Sequence, residues 1–269
     1  MDSEQNPDSN RVDSEKKGAF GRKVFFLNPP AVIAEVATAL SDAEFEVYAT
    51  RDHAKLARFL RKEPECLTFI NIDEGDDENV WRKWLKSIQQ DEASKGAAFG
   101  IITMLDEDAK RSYYLMEQGV ECGFIVVKIG AAKTTEILLR MLEANEARGR
   151  RRYVRAACPP DATDFSCVLE DGVHKGWIKD LSSVGMSVAF VKGTTPKAGT
   201  RLKDLQLNLK GVRVILNGVI VGNNEAPGIG TIAVVMFEPA SINEDKRAKL
   251  RSFIRRTLQL TMDKALALV

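Results

Sequence analysis

Short apolar runs punctuate the first half of the chain. KVFFL (23–27) stops at Asn28-Pro29-Pro30, and FEVYA (45–49), CLTFINI (66–72), FGIITM (99–104) and GFIVVK (123–128) follow. Each is continuous, as expected of a strand buried on both faces. Between these runs the period lengthens. Val32, Ile33, Val36 and Leu40 fall on one stripe within 31–43, and Leu56, Phe59 and Leu60 on another within 52–63. Further helices are expected over 80–90, 106–118 and 131–147. Five apolar strands alternating with helices predict a parallel sheet covered on both faces, the doubly wound flavodoxin-like arrangement.

Past Arg155 the period drops to two. TDFSCVLEDGVHKGWIKDL (163–181) reads as two strands about Glu170-Asp171-Gly172, and GMSVAFV (185–191) as a third. LKDLQLNLKGVRVILNGVIVG (202–222) alternates on both sides of Lys210-Gly211, a hairpin signal, and GTIAVVMFE (230–238) is the last strand. Six such strands with glycine turns predict a small antiparallel barrel. A helix follows, capped within Ser241–Asn243, with Leu250, Phe253, Ile254 and Leu258 on one stripe and Arg251, Arg255 and Arg256 mostly off it. The expected class is α/β plus all-β. It comprises a disordered tail (1–20), a parallel-sheet domain (21–144), an Arg-rich linker arm (145–155), a barrel (156–244) and a basic amphipathic C-terminal helix (245–269).

At 269 residues and 44% hydrophobic content the chain has material for two cores, which excludes disorder over most of its length. No 18-residue apolar window and no apolar N-terminal core occur, so neither membrane insertion nor a secretory signal is expected, and the reading is cytoplasmic. Cysteines 66, 122, 158 and 167 form no CxxC pair, and only two histidines accompany them, which disfavours zinc and suits a reducing compartment. The net charge of +1 hides a segregation. Residues 21–144 carry a net −5, residues 145–155 a net +4 and residues 245–269 a net +5. Charge this local points to an anion site rather than a general nucleic-acid surface.

Two segments carry chemistry: RGRRRYVR (148–155) and DLSSVG (180–185). Arg151 and Arg155 stand four apart just before the barrel. A guanidinium offers bidentate donors to phosphate or to guanine O6 and N7, and it stacks on bases. Asp180 suits a guanine N1–H and amino group, Ser182 is a small donor and acceptor, and Gly185 leaves room for a ligand or a tight backbone.

The ordered pair Arg151-x-x-x-Arg155 and Asp180-x-Ser182-x-x-Gly185, at the front of a six-strand barrel, resembles the PilZ domain over about residues 148–240. That family binds the bacterial second messenger cyclic di-GMP. The resemblance implies that Arg151 and Arg155 clamp phosphates and guanines. Asp180 and Ser182 would hold a guanine edge, and Gly185 would let the backbone close in. It implies, through Arg150, two stacked ligand molecules per chain. No cofactor or metal and no enzymatic activity are implied, and the protein partner of such an effector is left open. Arg148 and Arg152 share the spacing, but Arg155 directly precedes the apolar start of the barrel segment. The alternative is a degenerate PilZ scaffold that does not bind the nucleotide.

The first domain resembles a response-regulator receiver, with EQGVECGFIVVK (117–128) leading to Lys128. Phosphorylation there needs an acid pair after the first strand and an Asp ending the third. Asn28-Pro29-Pro30 and Asn71 stand in those places, Ile129 follows Lys128 where the family has Pro, and Thr103 is the candidate hydroxyl after the fourth strand. A pseudo-receiver is therefore expected, with the acids of 73–78 as a solvated loop. His53 and His174 show no chemical partner. Trp81 and Trp84 are assigned to a helix face on the sheet, and Trp177 to the barrel interior in preference to stacking on a base.

Overall fold

The computed structural model describes residues 21–149, 151–191, 195–228 and 230–269. Arg150 and the tail 1–20 lie outside the described residues. The chain divides into two units. One runs to Arg152 and includes Thr261–Val269, and the other is Tyr153–Leu260.

The first unit is built on β1 (Lys23–Leu27), β2 (Val47–Thr50), β3 (Cys66–Asn71), β4 (Ala98–Thr103) and β5 (Phe124–Val126). They form one parallel sheet in the order β2-β1-β3-β4-β5. Every residue of β3 and β4 is buried, because helices cover both faces. Toward one face, Val24, Phe26, Leu67 and Phe69 pack with Ile33, Val36 and Leu40 of α1 (Val32–Asp42) and Leu138 and Leu142 of α5 (Ala131–Ala144). Toward the other, Phe25 meets Phe59 of α2 (His53–Lys62), and Phe99 meets Trp84 of α3 (Glu78–Gln89) edge-on at 6.1 Å. Asp52 caps α2 by accepting from the Lys55 N–H at 2.9 Å, and Asp77 caps α3 from Asn79 at 2.8 Å. The helix expected over 106–118 is shorter. α4 (Asp108–Ser112) passes at once into a wider π turn, Tyr113–Glu117.

The second unit holds β6 (Arg155–Ala157), β7 (Thr163–Leu169), β8 (Gly172–Ser182), β9 (Gly185–Phe190), β10 (Arg201–Leu209), β11 (Val212–Ala226) and β12 (Gly230–Phe237). Six of them close a ring, β8-β7-β10-β11-β12-β9, through the additional β8–β9 pairing. β8 is long enough to serve three neighbours. It pairs with β7 over Gly172–Trp177, with β9 over Gly176–Leu181 and with β6 over Asp180–Ser182. Lys210 (φ 52°) and Gly211 (φ 85°) turn the β10–β11 hairpin in the left-handed region that a two-residue loop between twisted strands requires. Phe165, Ile178, Leu181, Val188, Leu207 and Val235 are among the residues that fill the barrel, with Leu250, Phe253 and Ile254 of α6 (Glu244–Ala267) in the same core. Asn243 caps α6 by accepting from the Lys246 N–H at 3.0 Å. Among the described residues, no helix is long and apolar enough to cross a membrane.

All four cysteines are free and buried. Burial pushes the Cys66 and Cys122 thiols up to about 12 and the Cys158 and Cys167 thiols up to about 11. The thiolate is the nucleophile, so these groups are held in the inert form at neutral pH. We expect no reaction with an aromatic disulfide reagent at pH 8 in the native chain and four equivalents after denaturation. Rapid native labelling would contradict the burial.

Candidate ligand-binding site

The outer face of the barrel around β8 gathers the second motif. Ile178 lies opposite Val188, yet Asp180 lies opposite Ser187, so one extra residue, Lys179, interrupts the ladder as a bulge. Ile178, Val188 and Leu181 point into the core. Asp180 and Ser187 therefore face outward on one rung, and Trp177 and Ala189 face outward on the next. Without the bulge, Trp177 and Asp180, three apart, would point to opposite faces.

β6 completes this face. Arg155 pairs in register with Ser182, and Ala157 with Asp180. The sequence signal for this strand was too weak to read: RAA is three residues with no large apolar side chain. β6 thus begins within the segment assigned to the arm. Val154 already packs against the barrel core. The Arg155 guanidinium stands 3.6 Å from Asp180 Oδ1, and the Ser187 hydroxyl donates to the same oxygen at 3.1 Å. Ser187 escaped the sequence reading because a serine in a strand carries no spacing signal of its own.

The other predicted residues have roles inside the fold. Ser182 is buried, and its hydroxyl donates to the Gly185 carbonyl at 3.0 Å, closing the turn between β8 and β9. At Gly185 a Cβ would come within 2.5 Å of the Val235 carbonyl, so β12 imposes the glycine by close backbone approach. Arg151 is exposed. Arg148 is engaged in the first unit, lying over the Phe45 ring at 4.5 Å and 3.8 Å from Glu143. Trp177 corrects the reading above. It is half-buried on the outer face and takes no part in the barrel core.

At the carboxyl edge of the parallel sheet, neutral amides stand where a receiver has acids. Buried Asn71 donates from Nδ2 to the Asn28 carbonyl at 2.9 Å, and its Oδ1 accepts from the Asp73 N–H at 3.2 Å. Asp73 in turn accepts from the Thr103 hydroxyl at 2.8 Å and from the Met104 N–H at 2.5 Å. Three further acids here are engaged: Asp76 lies 3.4 Å from His53, Asp77 caps α3, and Glu78 binds Arg82 and Lys110. His174 likewise has a carboxylate, Asp171, at 2.7 Å. Among the described residues, no group of acids, cysteines and histidines could hold a metal, and no ion pair involves Lys128.

An ionised Asp cannot donate to the Asn28 carbonyl, so Asn71→Asp would set a buried charge against it. We expect this change to destabilise the chain by about 1–3 kcal/mol in urea unfolding rather than rebuild a phosphorylation site. Wild-type stability would show that the amide bond contributes nothing.

No family model matches the sequence, and no curated protein matches it. Among solved structures, the PilZ domain of YcgR from Escherichia coli with c-di-GMP is 17% identical, with 43% of this chain and 97% of that chain covered and a TM-score of 0.36. The structure of Escherichia coli YcgR in complex with c-di-GMP is 19% identical, covering 45% of this chain and 51% of that one, with a TM-score of 0.39. The Bacillus subtilis inhibitor of motility MotI (DgrA) is 21% identical, covering 41% and 53%, with a TM-score of 0.35. The match thus spans about half of the last two chains. In architecture this chain is a six-stranded antiparallel barrel, extended by one short strand, following a five-stranded parallel sheet.

Proposed function

We propose that the chain is a non-enzymatic cytoplasmic effector that binds cyclic di-GMP on the outer face of the barrel. The observation that carries the reading is the meeting of the two motifs. Arg155, from the arm, stands 3.6 Å from Asp180, from the Asp-x-Ser-x-x-Gly segment. A cation that binds phosphate and an anion that accepts from a guanine edge are thereby presented side by side, as one ligand carrying both groups requires. The place of Arg155 at the start of β6, 3.6 Å from Asp180, supports Arg151 and Arg155 as the clamp rather than Arg148 and Arg152.

In this reading Asp180 selects guanine, Arg151 and Arg155 hold phosphates, and Arg150 admits a second stacked ligand. Two such dinucleotides bring four negative charges, which the net +4 of 145–155 balances. The arm joins the two units, so its ordering on the ligand re-orients them and signals to a protein partner. A scaffold that ignores the nucleotide is the second reading. It draws on Ser182 and Gly185, both of which the fold alone explains.

Calorimetric titration of the whole chain tests the proposal. We expect saturable binding of cyclic di-GMP with two ligands per chain, falling to one in Arg150→Leu. Arg151→Ala and Arg155→Ala should each weaken it by about 1.5–3 kcal/mol without loss of the fold, since both side chains are exposed. Asp180→Ala should weaken it as well, and cyclic di-AMP, whose adenine lacks the N1–H and 2-amino donors, should compete poorly. Absence of saturable binding at tens of micromolar would leave the scaffold reading standing.

A further inference from the structure

Trp177 is out of place for a structural residue. The other two tryptophans, Trp81 and Trp84, are 1% and 9% exposed in the first unit, where they pack against each other edge-on at 6.4 Å. Among the described residues, Trp177 makes no such aromatic pair. It sits on the outer face of β8, a position that the alternation of an antiparallel barrel gives to polar side chains, as at Lys175 two residues before it. Its ring is half-buried.

Its neighbours explain what the position offers. Across the ladders Trp177 faces Ala189 of β9 and Asp164 of β7, and one rung farther along stand Asp180, Ser187 and Ala157. Adjacent outward rungs of a strand are about 6.6 Å apart. The indole is thus a large flat apolar surface on the rung next to Asp180, bordered by the short side chains Ala189 and Ala157. The bulge at Lys179 is what turns both groups to the same face.

We propose that Trp177 is the base-stacking platform of this site, a positioning and specificity residue for the ligand. It rests on the reading of the outer face as a cyclic di-GMP site. A guanine held by its N1–H and amino edge at Asp180 lays its ring over the neighbouring rung, where the indole meets its face. Edge recognition then selects guanine over adenine, while stacking supplies affinity that any planar base would share. The two contributions are separable by mutation.

The test uses the full chain and cyclic di-GMP, with calorimetry and tryptophan emission excited at 295 nm, Trp81 and Trp84 remaining as buried references. Saturation should quench the emission of the wild type and leave that of Trp177→Phe unchanged. Trp177→Ala should weaken binding about 5- to 100-fold, the range for one lost base stack. Trp177→Phe, which keeps an aromatic face, should recover part of that loss. Because stacking is blind to the base edge, Trp177→Ala should preserve the ratio of cyclic di-GMP to cyclic di-AMP affinity, whereas Asp180→Ala should collapse it. If Trp177→Ala is misfolded by circular dichroism, the emission of Trp177→Phe against wild type decides. Wild-type binding without quenching, or with Trp177→Ala within twofold of wild type, overturns the platform and leaves the site. Failure of the wild type to bind at all overturns both.

Discussion

A single extra residue in β8 governs what the barrel can present. Lys179 has no partner of its own in the β8–β9 ladder, so the register slips between Ile178–Val188 and Asp180–Ser187. A strand without that slip alternates strictly, and Asp180 would turn into a core made of Ile178, Leu181 and Val188. A carboxylate there would be buried without a partner, at a cost of several kcal/mol. The bulge resolves the conflict locally. It keeps Ile178 and Leu181 inside, places Asp180 outside, and bends the strand toward the turn that Ser182 closes on Gly185. The last stretch of β8 is also where β6 adds on, so one irregularity sets the position of both motifs.

The two sheets show opposite ways of handling polar groups at strand ends. In the parallel sheet, the carboxyl edge that serves phosphoryl chemistry in receivers is filled by a closed circuit: Asn71 to Asn28, Asp73 to Asn71, and Thr103 and Met104 to Asp73. Each buried donor and acceptor in that circuit has a partner, so the edge gains rigidity and loses the open coordination a metal needs. On the barrel, Asp180 Oδ1 accepts from Ser187 and lies 3.6 Å from Arg155, while the Asp180 side chain stays 26% exposed. The first edge is finished as structure, whereas the second leaves an acceptor directed outward.

The strands of both units were legible because their signals are redundant. A run such as CLTFINI is apolar at nearly every position, and its burial on both faces follows directly. The hairpins were legible from Lys210-Gly211 and Asp171-Gly172, where turn chemistry and alternation agree. β6 was hidden because its three residues carry neither run nor alternation. Its existence depends on the long partner β8, a tertiary fact. Trp177 was misassigned for a related reason. Counting back from Asp180 by alternation puts it inside, and no residue type announces the bulge that reverses the parity. In the motifs, residue types were legible but roles were not. Gly185 answers the Val235 carbonyl and Ser182 its own turn, contacts that the spacing alone does not distinguish from ligand contacts.

The pair between Arg155 and Asp180 has the properties of a placeholder. Both side chains remain solvent-accessible, 45% and 26%, and their closest approach is 3.6 Å. A pair so exposed is worth at most about 1 kcal/mol, because water and salt screen it and two side chains must be ordered to hold it. It therefore contributes little to folding, and a ligand that replaces it loses little. Its value lies in geometry. The backbone of Arg155 is fixed against Ser182 by β6, and Asp180 is fixed by the bulge and by Ser187, so these two charged ends are already held side by side on the barrel. In the proposed reading, a dinucleotide that takes the guanidinium to its phosphate and the carboxylate to its base edge would exchange one weak mutual contact for two charge-assisted ones. A preorganised backbone lowers the cost of such an exchange, and an exposed surface keeps it reversible, as the proposed role of second-messenger receptor requires.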